Sequence, residues 1–254
     1  KKYTICDPFV KTSLKSKVKF ISNYFENVNF NGEKFDTIIL LSVLEHCKNA
    51  EEMVKKVHKV LKKNGKIYIV IPNSDKQFAY ADFNALVHEH ITYFSTEGIF
   101  NLFSKHNLKI ENYYQQNDSA FFCASHESRT NKNLSVLSTL KLQDIKRNYM
   151  TQIYRFNNFV FKNNSKIIFL GATNGLNTLL YHASRKEKIN YKKIRISDND
   201  PYKWGKYIGS HPLPILPINQ INKSDIVCIS ALSFSEEIIK KLEKNQIILN
   251  LYNL

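Results

Sequence analysis

The stretch from Phe35 to Asn73, FDTIILLSVLEHCKNAEEMVKKVHKVLKKNGKIYIVIPN, constrains the fold most. It reads as strand, short loop, amphipathic helix, Gly turn and strand, one step of a doubly wound parallel sheet. Asp36–Leu41 turns wholly apolar after its first two residues, as a parallel strand buried on both faces would. Asn49 predicts a helix N-cap, with Glu52 three residues on as its capping-box partner. Met53, Val54, Val57, Val60 and Leu61 then follow at helical spacing. Asn64-Gly65 predicts a left-handed helix stop, and KIYIVI a second buried strand. Ligands of open α/β sheets bind beyond the C-terminal strand ends, so Ser42, Glu45 and His46 stand where a cofactor would.

The 254 residues are enough for two domains, and a 43% hydrophobic content indicates a globular chain. No apolar run approaches the roughly 18 residues of a membrane helix, and the first ten residues do not form a signal peptide. Cys6, Cys47, Cys123 and Cys228 are scattered without CxxC spacing, which predicts reduced thiols in a cytoplasmic protein. The net charge of +15 raises a nucleic-acid partner. The lysines are spread along the chain rather than interleaved with aromatics in one block, which favours a small anionic substrate. Nothing in the pattern predicts a membrane partner or fixes an oligomeric state.

Tyr3–Cys6 reads as a strand with Asp7 at its tip before Pro8. A carboxylate there accepts hydrogen bonds from ribose hydroxyls; its other reading is a turn Asp before Pro. Lys17–Phe25 reads as the next strand, with Asn23 and Tyr24 at its end. An Asn amide can both donate and accept a hydrogen bond there, and Tyr24 can equally be ordinary core. His88, Glu89 and His90 form a dense titratable cluster in which a His can take or give a proton near neutral pH. No metal site is expected there, because HEH lacks a helical i, i+4 pair and a third ligand. Ser95 predicts a cap on a helix over Thr96–His106, and Leu108–Tyr114 and Phe121–Ser125 read as strands.

The polar run Ser128–Asn133 marks a domain boundary, and apolar spacing over Leu134–Phe161 predicts connecting helices. Lys166–Ala183 reads as strand, Gly turn and helix, with Gly171 and Gly175 at the turn and Asp198 ending a later strand. That is a loose dinucleotide fingerprint without the full GxGxxG. Asp225–Ser230 is a further buried strand. The expected layout is an α/β chain: a Rossmann-like domain over 1–127, a helical linker over 128–162, and a second, smaller Rossmann-like domain over 163–254.

The pattern FDxI…LEH…LxxxGxxxxxxPN resembles the second half of a class I S-adenosylmethionine (SAM) methyltransferase domain. HEHxxYF (His88–Phe94), GATNGLNTLL and DNDPYKWGKYIGSHPLPI resemble the two domains of the sugar C-methyltransferases. Val87 stands where that family has Tyr, and Leu176 and Gly175 replace a Gly and a Lys. Ala231-Leu232-Ser233 replaces an aromatic-Asn pair. The resemblance implies SAM as cofactor, with Asp7 on ribose, Asn23 and Tyr24 at adenine, and Leu41, Ser42 and His46 along the methionine arm. It implies His90 as catalytic base assisted by Glu89, with His88, Lys203, Lys206 and His211 on an anionic acceptor such as a nucleotide-sugar. An O-methyltransferase on a related surface-polysaccharide precursor, or a nucleic-acid methyltransferase, are the alternative readings. Cofactor domains of this class open with a strand running into a Gly-rich turn, and no such unit precedes the Tyr3–Cys6 strand; the intact downstream pattern leads us to expect that this segment lies outside the sequence.

Overall fold

The computed structural model describes residues 2–10, 18–127, 141–218, 226–231, 235–242 and 247–251. Two compact units emerge, one from Lys1–Asn73 with Glu89–Ser138, the other from Ser74–His88 with Thr139–Leu254. Each is α/β.

In the first unit, β1 (Tyr3–Cys6) and β2 (Val18–Ile21) pair in parallel, with Cys6 opposite Ile21. A separate four-stranded sheet holds β3 (Phe35–Leu41), β4 (Leu61–Pro72), β5 (Leu108–Gln116) and β6 (Ser119–His126) in the order β3-β4-β6-β5. β3 and β4 are parallel, whereas β6 runs antiparallel to both of its neighbours. Helix α1 (Ala50–Val60) starts where the Asn49 side chain accepts a 3.1 Å hydrogen bond from the Glu52 amide. Substituting Asn49 by Ala should cost about 1 kcal/mol, read as a lowered urea midpoint. The next helix, α2 (Ser74–Ala79), groups with the second unit, and α3 (Thr96–Ser104) returns to the first, capped by Ser95. Met53, Val54 and Val57 of α1 and Ile99 and Phe103 of α3 pack on Ile38, Leu40, Ile67, Ile69 and Phe122 of the sheet.

Two local expectations are corrected. Helix α1 stops at Val60, and Leu61 is already extended. Leu61 is buried and pairs with Phe35, whereas Thr37 pairs with Lys66, so the residues between bulge out of the ladder. Burying Leu61 in the sheet outweighs the Asn64-Gly65 stop. Gly65 is needed for another reason: a Cβ there would lie 2.6 Å from Leu61 Cδ1. Second, β3 is not buried on both faces. Ile38 and Leu40 lie under α1, but Ile39 and Leu41 are 65% and 66% exposed. Among the described residues, α1 and α3 cover only one face of this sheet.

After α2, the second unit continues with α4 (Leu142–Lys162). A five-stranded sheet follows in the order β11-β10-β7-β8-β9, every pairing parallel. Its strands are β7 (Ile167–Leu170), β8 (Ile194–Ser197), β9 (Ile215–Leu216), β10 (Ile226–Ile229) and β11 (Ile247–Asn250). Helix α5 (Asn174–Lys186) follows β7, and α6 (Ser235–Lys241) precedes β11. Every residue of β7 is buried, as expected of a central parallel strand. Ser74–His88 groups with this unit, although the expected domain over 1–127 includes it. Phe83 is buried in this core, the Tyr149 hydroxyl donates to the Asp82 carbonyl at 2.9 Å, and the Gly175 amide donates to Asn84 Oδ1 at 2.7 Å. The expected polar boundary Ser128–Asn133 and Leu232-Ser233 lie outside the described residues, and of the helical linker expected over 128–162 the described part is α4. Among those residues, no helix is long and apolar enough to cross a membrane.

Candidate active site at the strand ends

Parallel pairing of β1 with β2 brings Asp7 and Asn23 to neighbouring C-terminal strand ends. The Asp7 amide donates to the Ile21 carbonyl, and the Cys6 thiol donates to the Asn23 carbonyl. Asp7 Oδ1 accepts from the Phe9 amide at 2.7 Å, and Asn23 Oδ1 from the Tyr24 amide at 2.8 Å. These short turns hold two exposed polar side chains side by side, and Tyr24 is exposed beside them. A carboxylate next to an amide suits a ribose diol and an adenine edge, so these residues fit a SAM nucleoside.

At the end of β3, Ser42 adopts φ +50°, a left-handed conformation unusual for a residue with a side chain. It turns the chain into one helical turn, Leu44–His46. The Glu45 carbonyl there accepts from the amides of Ile91 and Thr92. Those two bonds bring the HEH segment to the strand end. The His46 ring Nδ1 lies 2.9 Å from the Glu89 carbonyl, and the rings of His46 and His90 are 5.1 Å apart, edge to face. Tyr93 meets the other side of His90 at 5.7 Å between ring centroids.

Burial pushes the His90 pKa below the ordinary imidazole value, and His46 pushes it the same way against the opposing pull of Glu89. A neutral ring with a free lone pair is the form a proton acceptor requires. Glu45 lies beneath, only 2% exposed, and burial raises its carboxyl above the usual range despite its own backbone amide and His46.

His46, which the sequence placed on the cofactor, thus sits against the candidate base. Nothing in local sequence signals this, because the two histidines are joined only by the contact of two loops. The burial of Glu45 was equally invisible.

In the second unit, Gly171 ends β7 at φ +102°, and Asp198 ends the adjacent β8. Asp198 Oδ2 accepts from the Ala172 amide and the Lys203 ammonium, each at 2.8 Å, and Oδ1 from the Asp200 amide. Burial alone would raise this carboxyl, but those bonds hold it below its usual range. Asp198 is therefore a brace for the turn, and the dinucleotide reading has no support in its geometry. Lys203 is committed to Asp198 rather than offered to a phosphate. His211 is also not a surface residue: it is 4% exposed, and its Nδ1 lies 3.0 Å from the Tyr191 hydroxyl. Lys206 and His88 are exposed.

Residues 1–113 match a family model described as a methyltransferase domain, and residues 123–247 match one described as a C-methyltransferase C-terminal domain. The chain is a class I SAM-dependent methyltransferase resembling the C-methyltransferases. No curated protein matches it in sequence. Among solved structures, a chain of the Haloferax volcanii complex of the Trm112 methyltransferase activator with a methyltransferase is similar at 9% identity and a TM-score of 0.42, over 50% of this chain and 73% of that one. The Burkholderia thailandensis 1,6-didemethyltoxoflavin-N1-methyltransferase, with S-adenosylhomocysteine bound, is similar at 11% identity and a TM-score of 0.40, over 49% of this chain and 61% of that one. A mitomycin 7-O-methyltransferase is similar at 12% identity and a TM-score of 0.37, over 43% and 34%. Scores this low carry no argument, and the family rests on the two domain models.

Proposed function

We propose that this methyltransferase acts on a small anionic metabolite, a nucleotide-sugar or other polysaccharide precursor, with His90 as general base. The observation that carries the reading is the placement of His90 beside His46 at the end of β3. The C-methyltransferase C-terminal domain and the net charge of +15 support an acceptor of this class. SAM supplies an electrophilic methyl group. The His90 ring nitrogen would take the proton from the acceptor atom, leaving on that atom the electron pair that would accept the methyl group supplied by SAM. Glu89 raises the proton affinity of His90, opposing the effect of burial. His88 and Lys206 remain candidates for acceptor binding. Exclusion of water and in-line placement of the acceptor supply much of the remaining acceleration.

Asp7 holds the ribose in this reading, so Asp7→Ala should weaken S-adenosylhomocysteine binding more than about tenfold. Unchanged affinity in calorimetry would remove that role. The acceptor is tested by transfer of a labelled methyl group to a panel of nucleotide-sugars. Carbon-13 NMR of the product separates C- from O-methylation, and labelling confined to RNA or DNA would overturn the small-acceptor reading.

A further inference from the structure

Both oxygens of the Glu45 carboxylate are buried, and no hydrogen bond from another residue reaches either. A carboxylate left so is strongly disfavoured unless it is protonated or coordinates a cation. Two imidazoles face it. One nitrogen each from His46 and His90 and a Glu45 oxygen all lie within 4.8 Å of one another. Glu45 Oε1 is 3.9 Å from His46 Nε2. Tetrahedral zinc places its ligand atoms about 3.4 Å apart, which a small rotamer adjustment reaches from here. The second observation concerns His46. Its Nδ1 is within hydrogen-bond distance of the Glu89 carbonyl, so the proton is held there and the Nε2 lone pair turns toward Glu45. Metal-binding histidines are oriented by this same outer contact.

We propose that Glu45, His46 and His90 form a site for one divalent transition cation of the zinc class. Two imidazoles and one carboxylate select zinc, cobalt or nickel over calcium and magnesium, which prefer all-oxygen shells. The half-exposed His46 leaves room for water as a fourth ligand. Only His90 comes from HEH; the other two ligands come from the turn after β3, which the sequence pattern could not reveal. The cation would take the His90 lone pair, so occupancy and proton abstraction would compete. That consequence rests on the proposed function; the binding does not.

The test is titration of the cofactor-free protein with cobalt(II), followed by its visible d–d bands, then displacement by zinc. One equivalent should bind with the intense spectrum of a tetrahedral or five-coordinate site. His46→Ala, at an exposed position, and Glu45→Gln should each weaken binding more than about tenfold. The other close histidine pair, His58 and His126, has its rings 4.7 Å apart, and His58→Ala should leave binding unchanged. Absence of cobalt binding, equal binding by wild type and His46→Ala, or loss only in His58→Ala would overturn the site. None of these readouts depends on methyl transfer, so failure of the site is distinct from failure of the catalytic reading.

Discussion

Replacing His90 by alanine should lower methyl transfer by at least about a hundredfold, the usual contribution of a positioned proton acceptor. S-adenosylhomocysteine affinity should stay nearly the same. The reason for the split is spatial. The residues proposed to hold the nucleoside, Asp7 and Asn23, belong to the β1–β2 pair, whereas His90 is fastened to the turn after β3 through the bonds of Ile91 and Thr92 to Glu45. Removing the imidazole leaves those backbone bonds intact. His90→Gln adds a useful comparison, since it keeps polar bulk but cannot act as a base near neutral pH. Rates close to wild type in both variants would take the base assignment away, and loss of cofactor binding in both would make His90 a ligand for the cofactor instead.

Gly171→Ala should destabilise the second unit by about 3 kcal/mol, combining backbone strain with overpacking. The residue stands at φ +102°, outside what a side-chain-bearing residue adopts comfortably. A Cβ would meet the Ala231 Cβ at 2.8 Å and the Ala231 amide nitrogen at 3.1 Å, and backbone cannot step aside as a flexible side chain can. The Gly171 amide donates to the Ser197 carbonyl, so a shift here also disturbs the β7–β8 edge that carries Asp198. Loss of unfolded-state freedom in the variant recovers less than about 1 kcal/mol. The effect is read as a lowered denaturation midpoint; an unchanged midpoint would mean the turn can relax into another conformation.

Local chemistry made much of the fold legible. The Asn49 and Ser95 caps, the apolar face of α1 and the apolar runs of β7, β8 and β10 are properties of neighbouring residues, and they appear where the spacing predicts. The stop at Asn64-Gly65 failed because a tertiary gain, burial of Leu61 against the sheet, overrode a local preference. The two-sided burial expected of β3 failed because periodicity reports apolarity and not which faces are covered. Grouping of Ser74–His88 with the second unit depends on Phe83 and Asn84 meeting residues far along the chain.

The candidate site divides along the same line. Asp7 and Asn23 could be read from their positions at strand tips. The partnership of His46 with His90 needs a loop 43 residues away, as the His46–Glu89 contact shows. Lys203 and His211 were read as charges open to a ligand, but Lys203 is paired with Asp198, and His211 is buried with its Nδ1 against the Tyr191 hydroxyl. A motif gives a residue type; only the fold tells whether its polar atoms are engaged.

The most direct test of this account is calorimetric titration of the protein with S-adenosylhomocysteine. Micromolar binding at one site per chain, weakened by Asp7→Ala, is the predicted result. No binding, or binding indifferent to Asp7, would contradict the placement of the cofactor over the ends of β1, β2 and β3.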